Sequence, residues 1–104
     1  MRHKIPPTHP GEVLKEDFLG PMDMSANKLA SHIGVPTNRI TAIIRGERGV
    51  TAETALLFAR AFGMSSDFWM GLQNSYDIET ARDESEARIS AVRKLPALNK
   101  KKAA

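Results

Sequence analysis

Apolar residues recur three and four positions apart in five segments of the chain, which is the spacing of amphipathic helices that bury one face. Glycine, proline and serine stand between these segments, where they end one helix and cap the next. The pattern predicts an all-α fold of five helices with an extended C-terminal helix. We predict a flexible arm over residues 1–8, a helical domain over 9–74, a C-terminal helical extension over 75–95 and a disordered basic tail over 96–104.

Residues 25–48 are predicted to form two short helices joined by a tight turn. Ser25 is a good N-cap for the first helix because its hydroxyl can accept a hydrogen bond from an orphan backbone N–H. Gly34 ends that helix because glycine readily takes a positive φ. Pro36 opens the second helix because its φ is fixed and no backbone donor is needed there.

The spacing within this segment is that of a helix-turn-helix. Small Ala30 precedes Gly34 by four residues, where two helices that cross at a steep angle need room. Ile40 and Ile43 follow Gly34 by six and nine residues, where the second helix needs apolar anchors. An ordinary helical hairpin with a glycine stop is the alternative that these features leave open.

The polar face of the second helix predicts contact with double-stranded operator DNA. Short polar side chains mixed with arginine suit the reading of base edges in a major groove, flanked by phosphate contacts. The segment carries four basic residues against one acid, so the positive charge of the chain is concentrated here. We predict base contacts from Thr37, Asn38, Arg39 and Ala42, and phosphate contacts from Ser25, Lys28, Thr41, Arg45 and Arg48.

Three further helices are predicted to build the core around this motif. The first begins at Pro10 and ends at Gly20-Pro21, and its inward positions are Val13, Leu14, Phe18 and Leu19. Another follows the cap Thr51 and ends at Gly63, with core positions at Ala55, Leu56, Ala59 and Phe62. The last follows the cap Ser65 and carries a stripe of Phe68, Trp69, Leu72 and Tyr76, which we interpret as core rather than as a ligand or cofactor site.

The segment from Leu72 to Leu95 is rich in charge and has only a thin apolar stripe. A helix too polar to be buried in its own small domain usually packs on a partner or frays into solvent. One recognition helix contacts few base pairs, so useful specificity calls for two copies that read half-sites one helical turn apart. We therefore predict a homodimer formed through Leu72, Tyr76, Ile78, Ala81, Ile89 and Val92.

The motif and several neighbouring stretches carry a resemblance to a known family. These stretches are residues 45–55, His9-Pro10-Gly11-Glu12 with Phe18-Leu19, and Ser66-Asp67-Phe68-Trp69-Met70 running on to Leu72-Gln73 and Tyr76-Asp77. Over residues 7–82 the chain resembles the HigA antitoxins, or VapI-type proteins, of the Cro/C1-type (lambda-repressor-like) helix-turn-helix class. It departs from their pattern at Gly71, where asparagine is expected. The resemblance implies an antitoxin that neutralises a RelE-like, mRNA-cleaving toxin of the HigB type and represses their shared operon.

Composition argues against several other classes of protein. The 104 residues include no cysteine, which excludes disulfides and thiolate chemistry. His3, His9 and His32 lack the spacing of a metal site, and no Ser/His/acid set or glycine-rich phosphate loop is present, so we expect no enzyme, metal or cofactor. We interpret His9 as a helix cap or a surface residue. No apolar run approaches the ~20 residues of a membrane span and no secretory signal is visible, which predicts a cytoplasmic protein without a membrane partner.

Two other functions fit the same residues. A stand-alone Cro/C1-type repressor without a toxin partner has the same helix-turn-helix, and the identity of the neighbouring gene separates it from an antitoxin. A protein-interaction module whose helix-turn-helix has lost DNA binding also fits, because the net charge is only +3.

Overall fold

The computed structural model describes residues 7–96 of the chain, and every regular element within that range is helical. In chain order these are α1 (Pro10–Val13), a π-helical turn (Leu14–Leu19), α2 (Gly20–Met22), α3 (Ala26–Ile33), α4 (Thr37–Ile44), α5 (Ala52–Phe62), α6 (Ser66–Glu84) and α7 (Glu86–Ser90). The prediction of an all-α fold is confirmed. The predicted arm over 1–8 and tail over 96–104 lie outside the described residues, except for Pro7, Thr8 and Pro96.

The prediction that Gly20-Pro21 ends the first helix is wrong. The chain stays helical through the π turn and α2 as far as Asp23, whose φ of 52° ends the segment. In the π turn the N–H of Gly20 donates to the carbonyl of Lys15, five residues earlier, so the hydrogen-bond register moves by one. Pro21 therefore stands in the first turn of a new α segment, a position where its missing N–H costs little.

The core is built around Trp69, which is fully buried. Its ring centroid lies 5.0 Å from those of Phe18 and Phe58, which brings together the π turn, α5 and α6. The other buried apolar side chains are Leu14, Leu19, Leu29, Ala30, Ile40, Ile43, Val50 and Ala55. Of the predicted aromatic stripe, Trp69 is thus core, whereas Phe68 lies at its edge and is 41% exposed.

The prediction that Leu56 is a core residue is also wrong, because Leu56 is 61% exposed. The buried face of α5 is set by Thr54 and Phe58, one turn apart, and by Ala55 beside them. At about 100° per residue, Leu56 lies about 200° from Thr54 and Phe58 and therefore points to solvent. Phe58, which the sequence reading passed over, fills the core position instead.

A close approach of α1 to α4 fixes the position of the second helix of the motif. Gly11 packs against the backbone at the end of α4, so that a Cβ at Gly11 would overlap the carbonyl oxygen of Ile43 and lie 2.7 Å from its carbonyl carbon. Only glycine fits there. The N-terminal helix thus holds α4 by direct contact between backbones.

Among the described residues, none after Gln73 is buried. Helix α6 continues for 19 residues to Glu84, and a break at Ser85 (φ −119°, ψ 24°) separates it from α7.

Within residues 7–96, no helix is both long enough and apolar enough to cross a bilayer.

Candidate nucleic-acid interface

Helix α3 begins and ends at the residues that the sequence predicts. The hydroxyl oxygen of Ser25 accepts a 3.0 Å hydrogen bond from the backbone N–H of Lys28. At the other end Gly34 has a φ of 79°, and its N–H donates to the carbonyl of Ala30 at 2.9 Å. Because both ends are fixed by local chemistry, the length of α3 is set by its own sequence.

Helix α4 separates its buried and exposed faces as a recognition helix must. Ile40 and Ile43 are fully buried, and Ile44 is half-buried against the core. Thr37 and Asn38, at the N-terminus of α4, are exposed, whereas the other two predicted base contacts, Arg39 and Ala42, are partly buried. The four predicted base contacts therefore share one element, and the N-terminal turn of that element is open to solvent.

Most of the predicted phosphate contacts are exposed and lie on α3 or after α4. Lys28 lies on α3, while Arg45 and Arg48 lie at and just beyond the end of α4, and all three are exposed. Ser25 uses an oxygen lone pair for the cap, so its O–H remains free to donate to a phosphate. Thr41 is different, because its hydroxyl donates to the carbonyl of Asn38 at 3.3 Å and would have to leave that acceptor to donate to a phosphate.

A hydrogen bond that the sequence reading missed joins the first turns of the two helices of the motif. The hydroxyl of Thr37 donates to the side-chain oxygen of Asn27 at 2.8 Å. The two residues are ten positions apart and both exposed, so neither apolar spacing nor a cap pattern pointed to the pair.

The loop that carries Arg48 is held by a buried amide from α6. The side-chain oxygen of Gln73 accepts a 2.6 Å hydrogen bond from the backbone N–H of Val50, and its nitrogen donates to Asp77 at 3.0 Å. Gly49 leaves room for this amide, since a Cβ there would lie 2.9 Å from the Gln73 nitrogen. Gln73 thus orders the backbone two residues after Arg48, a role that sequence spacing did not indicate.

His9 is the N-cap of α1, one of the two roles predicted for it, and it connects α1 to α6. Its Nδ1 accepts a 2.9 Å hydrogen bond from the N–H of Gly11, and its ring meets Tyr76 edge-on with centroids 4.8 Å apart. Burial lowers the pKa of His9 below its ordinary value of 6.5, although the charges of Asp77 and Glu12 act in the opposite direction. A neutral ring is the form in which Nδ1 can accept this hydrogen bond.

The predicted dimerisation residues divide into two groups. Leu72 packs against the core and Tyr76 against His9, so both already have contacts in their own domain. The second group is exposed, with 47% exposure for Ile78, 52% for Ile89 and 75% for Val92, and it also includes Ala81.

Among residues 7–96, no three His, Asp or Glu side chains are grouped as metal ligands.

These features define a helix-turn-helix protein. Comparison with known sequences and structures identifies its family. A family model described as helix-turn-helix matches residues 14–69. Virulence-associated protein I of Dichelobacter nodosus is 40% identical over 86 residues, which span 83% of this chain and 80% of that protein.

Two solved structures of similar proteins cover nearly all of the described fold. An addiction module antidote protein of the HigA family from Coxiella burnetii is 46% identical, with 91% of this chain and 100% of that chain covered and a TM-score of 0.81. The Pseudomonas aeruginosa antitoxin HigA, solved with the higBA promoter, is 35% identical, with 88% and 99% covered and a TM-score of 0.82. The chain belongs to the Cro/C1-type helix-turn-helix family and, within it, to the HigA-type antitoxins. That family consists of DNA-binding antitoxins and regulators rather than enzymes.

Proposed function

We propose that this protein is an antitoxin that binds its own operator as a homodimer, represses the operon and neutralises a RelE-like, mRNA-cleaving toxin of the HigB type. The main support for DNA binding is that α4 has one buried face and one exposed end. Ile40 and Ile43 are completely buried, whereas Thr37 and Asn38 at its N-terminus are exposed. A similar protein, the Pseudomonas aeruginosa antitoxin HigA, was solved with promoter DNA. DNA and toxin are both cytoplasmic partners, so we propose a cytoplasmic location.

The first turn of α4 enters the major groove in this proposal. Thr37, Asn38, Arg39 and Ala42 then face base edges, because the N-terminal residues of a recognition helix lie deepest in the groove. Ser25 at the N-cap of α3, Lys28 on α3, and Arg45 and Arg48 after α4 then hold the phosphate backbones beside the groove. Thr41 joins them only if its hydroxyl gives up the carbonyl of Asn38.

Two copies of the chain are needed for useful specificity. A single domain of this size offers few phosphate contacts, whereas a two-fold dimer reads two half-sites ~34 Å apart. The C-terminal segment is the surface left for self-association, since Ile78, Ile89 and Val92 are exposed and belong to α6, α7 and the residues after them rather than to α4. Ile78, Ala81, Ile89 and Val92 form the centre of the proposed interface, with Leu72 and Tyr76 at its inner edge.

Substitutions on α4 test the DNA-binding part. Arg39→Ala or Asn38→Ala should cost about 1–3 kcal/mol of operator binding and relax base preference at one position, because each removes a base contact. Lys28→Ala is the matched control, because loss of a phosphate contact weakens all sequences alike and lowers the salt dependence of binding by about one phosphate. Operator binding by an Asn38/Arg39 double variant that equals wild type contradicts the assignment of α4.

Co-expression with the product of the adjacent gene tests the toxin part. The full-length protein should restore growth of cells that express that product and should be purified in complex with it. Asn38→Ala should keep this rescue while it loses repression, because the proposed toxin surface is separate from residues 37–42. Absence of both rescue and complex leaves the stand-alone repressor as the function.

A further inference from the structure

The hydrogen bond between Thr37 and Asn27 connects a predicted base-reading residue to a side chain on the other helix of the motif. Thr37 is the first residue of α4, and Asn27 lies in the first turn of α3. The oxygens are 2.8 Å apart, within the ordinary range for an O–H donor. Both residues are exposed, so the bond lies at the surface that the proposed function turns toward DNA.

This bond fixes what the Thr37 hydroxyl can offer to another molecule. A hydroxyl has one proton to donate and two lone pairs that accept. The Asn27 oxygen takes the proton, so Thr37 presents only lone pairs and a methyl group to the solvent side. A threonine without such a partner could rotate its hydroxyl and donate instead.

The four bases differ in whether their major-groove edges donate or accept hydrogen bonds. Adenine N6 and cytosine N4 are donors, whereas guanine presents only acceptors and thymine presents an acceptor and a methyl group. A Thr37 hydroxyl that can only accept forms a hydrogen bond with adenine or cytosine and none with guanine. Its methyl group can contact the methyl group of the thymine paired with adenine.

We propose that Asn27 is a specificity-determining residue that acts through Thr37, by holding its hydroxyl as an acceptor for adenine or cytosine. This inference rests on the proposed DNA binding and on the proposed position of Thr37 at a base edge. Asn27 is a positioning residue in this account, since its effect on base preference passes through the Thr37 hydroxyl. Its neighbour Lys28, by contrast, serves as a phosphate contact.

Three variants of the full-length protein separate this role from a general effect on affinity. Asn27→Ala releases the hydroxyl, Thr37→Val removes it at nearly constant shape, and Asn27→Asp keeps an acceptor for it while adding a negative charge. Each is titrated against the operator and against all single-base variants of that operator. The readout is relative affinity among the four base pairs at each position, which a uniform change in backbone contacts does not alter.

Asn27→Ala should reduce the preference for adenine or cytosine by about 2- to 12-fold, the range that one neutral hydrogen bond supports. The reduction should fall at the same operator position that Thr37→Val affects. Asn27→Asp should keep the wild-type preference while it binds every sequence more weakly, because its carboxylate still accepts from Thr37 and repels phosphate. Thermal unfolding should be close to wild type in each case, since both side chains are exposed.

The inference is overturned if Asn27→Ala keeps the wild-type base preference, or if it changes a position that Thr37→Val leaves alone. Loss of preference in Asn27→Asp equal to that in Asn27→Ala also contradicts it, because the acceptor would then be irrelevant. A wild-type protein that binds no operator sequence preferentially contradicts the proposed function itself, which is a different result from either of these.

Discussion

Gly11→Ala tests whether α1 positions the recognition helix through a direct backbone contact. The added methyl group would overlap the carbonyl oxygen of Ile43, and it would lie 2.7 Å from the carbonyl carbon and 3.0 Å from the Cα of Ile44. Carbon atoms pack at about 3.5–4.0 Å, so the contact with the carbonyl carbon alone requires the two helices to separate by about 1 Å, and the overlap with the oxygen requires more. No side-chain rotation can relieve the clash, because all three atoms belong to the backbone of α4.

The expected loss of stability follows from this overlap. Overpacking in a rigid site costs about 1–3 kcal/mol and occasionally more, while the better helix propensity of alanine returns at most about 1 kcal/mol. Because the clashing atoms are all backbone, the cost lies at the upper end of that range. We expect a net destabilisation of about 2 kcal/mol, which lowers the melting temperature by roughly 8–16 °C in a domain of this size. Operator affinity should fall as well, because α4 can no longer lie in its native position.

Gly71→Ala is the matched control for this substitution. Gly71 is exposed in the middle of α6, and a Cβ there would meet no atom within 4 Å. The same chemical change should therefore stabilise the protein, by about 0.5–1 kcal/mol. Thermal and urea unfolding of both variants measures the difference. Gly11→Ala with wild-type stability, or equal shifts in the two variants, refutes the reasoning.

Three further predictions concern the core, the cap and the dimer. Ile40→Ala should lower the free energy of unfolding, measured in urea, by about 2–5 kcal/mol. Leu56→Ala should change it by no more than about 0.5 kcal/mol, because Leu56 is exposed. Equal effects of the two substitutions would contradict the packing of α4. Because the pKa of His9 is lowered in the folded protein, the unfolded chain takes up a proton near pH 6.5 and the folded chain only at lower pH. The contribution of His9 to the free energy of unfolding is therefore fully present above pH 6.5 and is lost as the pH falls below it. His9→Asn keeps a capping oxygen and should flatten unfolding free energy against pH in that window; an unchanged slope excludes His9 as its source. Ile89→Asp combined with Val92→Asp should convert a dimer into a monomer in analytical ultracentrifugation, and an unchanged sedimentation coefficient excludes that surface.

Features that depend on adjacent residues could be predicted from the sequence. The caps Ser25, Thr51 and Ser65 each accept a hydrogen bond from a backbone N–H two or three residues later, so the chemistry is contained in one turn. Gly34 and Gly63 end their helices with φ of 79° and 65°, for which glycine alone has no steric cost. These local signals were enough to place both ends of α3 and of α5 and the start of α6.

Features that depend on how helices cross could not be predicted in this way. The hydrogen bond from Thr37 to Asn27 depends on how α3 and α4 are placed relative to each other. The hydrogen bond from Val50 to Gln73 joins residues that are 23 positions apart in the chain. The π turn before Pro21 is a further case, because a proline after glycine ordinarily reads as the end of a helix. In each case a polar or conformational detail is decided by tertiary packing, which spacing along the chain does not record.

The most direct test of the central claim is the affinity of the full-length protein for the DNA upstream of its own gene, measured beside a shuffled sequence of equal length and composition. Titrations at several salt concentrations separate the phosphate contribution from base recognition. We predict that the native sequence is bound about a thousandfold more tightly or better, with a two-fold symmetric footprint whose half-sites are one helical turn apart. Equal affinity for the native and shuffled DNA would contradict the account.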